Sequence, residues 1–349
     1  MSAIVFAIPG DLSLPTGGYA YDRRLLKEWR EMGVAARHLP LPGGFPNPSE
    51  ADLSETGRAI LSQSYDRVLL IDGLAYGAFP ESIAAGLAGR VVALVHHPLG
   101  LETGLSPVQA AEFVRREAAA LRYAAGVIVS SETTKRLLVA DFAVPAERIT
   151  VAEPGVDPAE RATGSGGESV ELLAVGSLVP RKGYDVLIAA LEGLAGKPWR
   201  LTIVGADDRA PATTAALKTQ VASTGLSERI RLAGALRQAE LDAAYAKADL
   251  FVMPSLFEGY GMVLTEALAR GLPILCTTGG AAAETAPDEA ALKVPPGDVA
   301  ALRAGLARLL DDGDQRRRRA DAAWHAARAL PRWRRTATIV AEVCAKVIP

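Results

Sequence analysis

The sequence predicts an α/β protein built from two doubly wound parallel-sheet domains of similar size. Three observations carry that expectation. The chain has 349 residues, more than one ordinary domain of roughly 100 to 200 residues takes up. Short apolar runs bounded by Gly, Pro or Asp recur along it, and segments of helical period separate them, as in βα units around parallel sheets. Midway, Glu153-Pro154-Gly155-Val156-Asp157-Pro158 is turn chemistry and Gly164-Ser165-Gly166-Gly167 is a flexible polar stretch, so the expected division is 1–155 and 156–325.

In the first half, strands are expected at Ala3 to Ile8, Val68 to Ile71, Val91 to Val95 and Val127 to Val129. A helix is expected from Tyr21 to Met32, with Leu25, Leu26 and Trp29 on one apolar stripe and Gly33 as its stop. The second half repeats the plan at Leu172 to Val175, Leu201 to Val204, Ile230 to Leu232, Leu250 to Met253 and Ile274 to Cys276. From Ala320 onward the tail reads as helices interrupted at Pro331. In such sheets the crevices outside the carboxyl ends of the strands are where ligands are sought.

Composition narrows the class. With 49% hydrophobic, 22% charged and 5% aromatic residues, the chain is not a disordered one. Its 38 Lys and Arg against 40 Asp and Glu lack the global basic field of a dedicated nucleic-acid binder. Two cysteines, Cys276 and Cys344, make neither a disulfide framework nor a four-cysteine zinc site, which fits a reducing compartment. Met1 to Ile8 is apolar but has no basic residues before it and no cleavage pattern after it. No apolar stretch reaches ~18 residues. The expected location is the cytoplasm, with peripheral contact at the inner membrane face as a second placement. Arg23, Arg24, Lys27 and Arg30 with Leu25, Leu26 and Trp29 suit either a packed surface helix or such a contact; Asp22, Glu28 and Glu31 dilute the charge and favour the packed helix.

Three segments carry chemistry. Gly17-Gly18 follows the first strand and precedes the Tyr21 helix, where residues without Cβ let N–H groups approach a phosphate, or simply make a tight turn. The run Gly176-Ser177-Leu178-Val179-Pro180-Arg181-Lys182-Gly183 puts a guanidinium and an ammonium side by side at a strand's carboxyl end, a setting for a diphosphate. Phe257-Glu258-Gly259-Tyr260-Gly261-Met262-Val263-Leu264-Thr265-Glu266 places Glu258 in a Gly-flanked loop and Glu266 on the second turn of a helix. Each carboxylate can accept hydroxyl hydrogen bonds from sugar and ribose. His96 and His97 end the run Val-Val-Ala-Leu-Val. Asp312 and Asp314 have D-x-D spacing but lie among turn residues, so no metal is expected there. Arg316 to Arg319, Arg328, Arg332, Arg334 and Arg335 read as a solvated helix face, with contact to an anionic membrane surface as the second reading, and Cys276 as a small buried hydrophobe.

On Gly176 to Gly183, Leu201-Thr-Ile-Val-Gly205, Ala248 to Ser255 and the E-x7-E element Glu258 to Glu266, continued through Ala267-Leu-Ala-Arg-Gly-Leu-Pro-Ile274 to Gly279-Gly280, the second half resembles the retaining family-four glycosyltransferases of the GT-B fold. Pro154-Gly155-Val156-Asp157 is similar to that family's interdomain strand end. The match spans most of 150–310.

The resemblance implies two Rossmann-like domains facing across a cleft, 1–155 binding the acceptor and 156–325 the nucleotide sugar, with a helix in 326–349 returning to the N-terminal domain. It implies that Arg181 and Lys182 hold the diphosphate, Glu258 the donor sugar and Glu266 the ribose. Backbone groups of Tyr260, Gly261 and Met262 would lie near sugar and phosphates, and Gly17 and Gly18 would form the N-terminal phosphate-side loop. The family has a His beside the donor sugar, with which His96 aligns; His97 and Pro98 stand where an acid usually follows.

The implied reaction is front-face transfer with retention, in which the leaving diphosphate helps remove the acceptor proton. The two cations take the place of a metal, and no cofactor is called for, the nucleotide sugar being a substrate. A UDP-sugar is the first expectation and a GDP-sugar the next; the acceptor is a small molecule, a lipid-linked sugar or a polysaccharide. Closure about 154–167 would exclude water. Two other readings share the fold: a nucleotide-sugar epimerase, which would convert donor without acceptor, and a non-catalytic nucleotide-sugar-binding protein.

Overall fold

The computed structural model describes residues 4–347. It divides into two compact units, one holding the chain up to Gly155 and again from Pro331, the other Val156–Leu330.

The first unit runs β1 (Ile4–Pro9), α1 (Gly17–Met32), β2 (Ala36–Leu41), α2 (Glu50–Leu61), β3 (Val68–Asp72), α3 (Gly73–Tyr76), α4 (Glu81–Gly86), β4 (Val91–Val95), α5 (Pro107–Leu121), β5 (Gly126–Val129), α6 (Glu132–Asp141) and β6 (Ile149–Val151). The second runs β7 (Val170–Val175), α7 (Tyr184–Glu192), β8 (Trp199–Val204), α8 (Pro211–Ser223), β9 (Ile230–Leu232), α9 (Gln238–Lys247), β10 (Leu250–Met253), α10 (Met262–Ala269), β11 (Ile274–Thr277), α11 (Ala282–Thr285), β12 (Ala291–Val294), α12 (Val299–Asp311) and α13 (Gly313–Ala326). After a 3₁₀ turn at Ala327–Ala329, α14 (Trp333–Lys346) belongs to the first unit.

Each unit is one six-stranded sheet, ordered β2-β1-β3-β4-β5-β6 in the first and β12-β11-β10-β7-β8-β9 in the second. Every pairing is parallel. The order reverses between β1 and β3 in one sheet and between β7 and β10 in the other, and a ligand crevice opens at such a reversal.

β1, β3, β4 and β5 are buried at every position. Strands covered on both faces read as unbroken apolar runs, which is why the sequence located them. Ala3, expected to open the first strand, lies outside the described residues. β2, β6 and β12 carried no such signal, and all three are sheet edges. β2 alternates with solvent and contains Pro40, a residue an edge strand tolerates because it cannot donate to a ladder.

α1 starts four residues earlier than expected. The Thr16 side chain caps it by accepting from Tyr19 N at 3.3 Å, so Gly17 and Gly18 form its first turn rather than a loop before it. The helix stops at Gly33, in the left-handed region at φ 70°.

The inner face of α1, Tyr21, Leu25 and Trp29, is buried, and α14 packs beside it. Trp29 Nε1 donates to Ala337 O at 2.8 Å, and the Arg24 guanidinium lies 5.2 Å over the Trp333 ring. Tyr21 Oη donates to Ala152 O at 2.9 Å, and Thr336 Oγ1 to Glu153 O at 2.7 Å. A Cβ on Gly155 would stand 2.2 Å from Trp333 N, so the turn needs glycine for the returning chain to pass. The packed-helix reading therefore describes α1, with a correction at two of its acids: Asp22 is fully buried, and Glu28 is buried and paired with Arg24 at 3.3 Å.

Among the tail arginines, Arg316 donates to Leu309 O and Leu310 O at the end of α12, and Arg319 donates to Asp288 O at 2.7 Å. Asp312 caps α13 by accepting from Gln315 N at 2.8 Å, and Asp314 pairs with Arg317. Cys276 and Cys344 are buried, and burial pushes both thiols up to about 12. Among the described residues no helix is long and apolar enough to cross a membrane.

Trp29→Ala is expected to lower the unfolding free energy by about 3–5 kcal/mol, through lost burial and the lost hydrogen bond to Ala337 O. Urea titration of variant and wild type checks this; an unchanged midpoint would detach α14 from the stability of the first unit.

Candidate functional site

In the second unit the chemistry gathers where the strand order reverses. β7 leads into a 3₁₀ turn, Pro180–Lys182, and β10 leads into the loop up to Gly261. The two segments are tied by backbone, Leu256 N donating to Arg181 O at 2.8 Å. Gly183 permits that approach: its φ is 63°, and a Cβ there would lie 2.3 Å from Pro254 O.

Side chains complete the tie. Lys182 Nζ donates to Glu258 Oε1 at 2.7 Å, while Arg181 Nη1 donates to Glu258 Oε2 at 3.2 Å and to Phe257 O at 2.7 Å. Glu258 is itself pinned, its N–H donating to Gly279 O at 3.1 Å and its carbonyl accepting from Ala281 N at 2.8 Å. Glu258 is only 6% exposed. Burial alone would raise its carboxyl, but Lys182 and Arg181 outweigh it and hold the group down at about 2. The set comprises two cations and one anion with all three side chains already ordered.

α10 begins directly after this loop. Gly261 is its N-cap at φ 89°, and no side chain caps its first turn. Met262 opens the helix, and Tyr260, largely buried, accepts from Thr285 Oγ1 at 2.6 Å through its carbonyl. Glu266 lies on the second turn, where Tyr245 Oη donates to its Oε2 at 2.9 Å. Burial raises the Glu266 carboxyl, against the Tyr245 hydrogen bond and Arg270, which lower it. Tyr245 is in turn stacked on Phe251, ring centres 5.9 Å apart, and the Arg270 guanidinium lies 4.3 Å over its ring. Arg181, Lys182 and Glu258 are thus brought into contact, and Glu266 stands on the helix that follows.

The first unit holds the remaining candidates, again at its reversal. Gly17 and Gly18 begin α1 after β1, and a Cβ on Gly18 would lie 3.2 Å from His96 Cδ2. His96 follows β4, with Nε2 3.0 Å from Asp22 Oδ1 and 3.5 Å from Asp72 Oδ2. Burial lowers the imidazole's proton affinity, but the two carboxylates more than reverse that, and the net direction is up. Burial pushes Asp22 up, while the His96 charge opposes it. His97 Nε2 lies 3.8 Å from Glu102 Oε2.

Asp22 and Asp72 went unread in the sequence. Asp72 left a signal, as an acid closing a wholly buried strand, Val-Leu-Leu-Ile-Asp. Asp22, among charged neighbours on a helix, left none. One ligand-type atom from each of Asp22, Asp72 and His96 lies within 4.8 Å of the others, a spacing a cation could also use; the 3.0 Å contact is that of a hydrogen bond.

Residues 157–325 match the family model described as Glycosyl transferases group 1, and residues 20–160 match that of Glycosyltransferase Family 4. The chain is 30% identical over 300 residues to the MMP alpha-(1->4)-mannosyltransferase of Mycolicibacterium hassiacum, covering 79% of this chain and 71% of that one. It is 30% identical over 268 residues to the GDP-mannose-dependent monoacylated alpha-(1-6)-phosphatidylinositol monomannoside mannosyltransferase of Corynebacterium glutamicum, covering 69% and 68%. Among solved structures, sucrose-phosphate synthase from Thermosynechococcus elongatus superposes with a TM-score of 0.83 over 99% of both chains at 20% identity. That likeness concerns the fold.

Glu258→Gln is expected to cost about 3–5 kcal/mol at neutral pH, because Lys182 and Arg181 lose their buried counterion. A carboxyl held low contributes stability above its ordinary 4.5 and loses it as pH falls through about 2. Urea midpoints of the two proteins should therefore differ fully at pH 7 and converge towards pH 2; a pH-independent gap would remove the ion pair as its cause.

Proposed function

The chain belongs to the glycosyl transferases group 1 family and is a sugar-transferring enzyme, and from that premise we propose that its donor is a nucleoside diphosphate sugar of the GDP-mannose class, transferred with retention and without a metal ion or cofactor. The order of donors expected from the sequence is thereby reversed. GDP-mannose comes ahead of a UDP-sugar because the Corynebacterium relative is a GDP-mannose-dependent enzyme.

The Lys182–Glu258–Arg181 cluster carries the proposal. Its cations are already fixed, so engaging a diphosphate immobilises no further side chains. They would stabilise the charge that grows on the leaving diphosphate, as preorganised donors do. The uncapped first turn of α10 adds N–H donors beside Met262 and Gly261. Glu258, ionised and held by Lys182 and Arg181, retains lone pairs for a sugar hydroxyl. Glu266, one of its oxygens engaged by Tyr245, offers the other to a ribose hydroxyl.

The route by which retention would be achieved draws support from the same residue. A carboxylate held at about 2 and paired on both oxygens is a poor nucleophile and a poor base. This argues against the paired-carboxylate route of glycosidases and favours front-face attack, with the departing diphosphate oxygen receiving the acceptor proton. In this reading the first unit supplies the acceptor side, His96 serves the donor sugar, and Gly17 and Gly18 lie towards phosphate. The acceptor brings a hydroxyl from a small polyol, a lipid-linked sugar or a polysaccharide.

Lys182→Ala is expected to lower kcat/KM by on the order of 10²-fold, measured as nucleoside diphosphate release from GDP-mannose with a panel of acceptors; an unchanged rate would take Lys182 out of the reaction. EDTA should leave the rate intact. Calorimetry with GDP and UDP should find GDP the tighter ligand and its binding weakened in Glu266→Ala. Tighter UDP binding would overturn the donor assignment, and conversion of donor without acceptor would make the protein an epimerase.

A further inference from the structure

The first unit has a buried arrangement that the sequence motifs did not announce. His96, the group assigned above to the donor sugar, is gripped at a single atom by two acids from other elements. Asp22 comes from α1 and is fully buried, and Asp72 ends β3 and is 3% exposed. Both point an oxygen at Nε2, at 3.0 and 3.5 Å. Asp72 is itself fixed, since its Oδ1 accepts from Leu74 N at 2.7 Å and caps α3. Around the imidazole stand the edge of Tyr21 at 5.0 Å between ring centres, the Gly18 backbone of α1 and, beyond β5, Ser130, whose hydroxyl donates to His96 O at 3.4 Å. Of the groups acting on Asp22, the His96 imidazole favours its charged form and Asp72 opposes it.

We propose that Asp22 and Asp72 are positioning residues that hold His96 in one orientation as an imidazolium, so that it serves the reaction as a cationic donor and not as a base. An ionised carboxylate only accepts, so facing one Nε2 carries the proton. Two acids beside a single imidazole then favour a proton on Nδ1 as well, and Nδ1, the nitrogen outside the grip, becomes a donor. Gly18 belongs to the same device, because its missing Cβ leaves room for the ring. The inference rests on the reading of His96 as a donor-side group.

The test reads the imidazole directly. The chain has four histidines, and ¹³C-detected ring signals of the whole protein can be titrated without any substrate, with His96→Gln identifying the peak. In wild type the His96 signal should titrate above its ordinary range, and Asp22→Asn should bring it down by about 1–3 pH units. In turnover assays Asp22→Asn should lower kcat by on the order of 10-fold with donor KM little changed. The alkaline limb of kcat should move to lower pH, since an imidazolium is lost as pH rises through its own midpoint. If Asp22→Asn does not fold, Asp72→Asn carries the same measurements, with the smaller shift its longer contact implies.

A wild-type signal titrating at the ordinary value, or one unmoved in both variants, overturns the grip. A shifted titration with unchanged kcat overturns its role in the reaction. If wild type turns over no nucleotide sugar, the proposed function falls, and the NMR titration still decides whether the acids hold the imidazolium.

Discussion

A parallel sheet whose strand order reverses has one place where two adjacent strands send their chains to opposite faces, and there the loops part. Both units of this protein are built on that constraint. In the second unit the reversal lies between β7 and β10, and the turns leaving these strands carry Arg181, Lys182 and Glu258. In the first it lies between β1 and β3, and the segments leaving them carry Gly18, Asp22 and Asp72, with His96 leaving the neighbouring β4. The remaining architecture keeps these edges in place: central strands covered on both faces, crossover helices, and α14 returned against α1.

Placing carboxylates at such edges has an energetic consequence. A buried acid must be matched by a cation or be neutralised. Glu258 meets this with two permanent cations from one turn, so its charge is fixed and its loop is clamped. Asp22 and Asp72 meet at an imidazole, whose charge depends on a proton. The two units thus use one principle with different chemistry. One presents a permanent positive site suited to phosphate oxygens, and the other a single titratable donor.

How far these features were legible followed from how local they are. Gly176 to Gly183 and Glu258 to Glu266 could be read because the residues of each sit close together in the chain, and fixed spacing implies fixed geometry on a turn or a helix. The central strands could be read because burial on both faces forces continuous apolar runs. Three of the four edge strands, β2, β6 and β12, escaped, being only partly covered, while the fourth, β9, was read from its Ile-Arg-Leu run. The start of α1 was misplaced because glycine is a poor helix former, and Thr16 capped the helix before it.

The sequence by itself determined the class of the two units, the family of the chain and the identity of the charged groups in the second unit, since periodicity and short motifs are local properties. Only tertiary structure decided who partners whom. That Glu258 neutralises Lys182 and Arg181, some 76 residues away in the chain, that Tyr245 holds Glu266, and that Asp22 turns inward to His96 rather than out to water all depend on strands brought side by side by the fold. An acid's spacing in the chain does not say which way it faces. The sheet does, because its reversal sets which strand ends meet, and the cost of a buried charge then leaves each acid only the cation within reach.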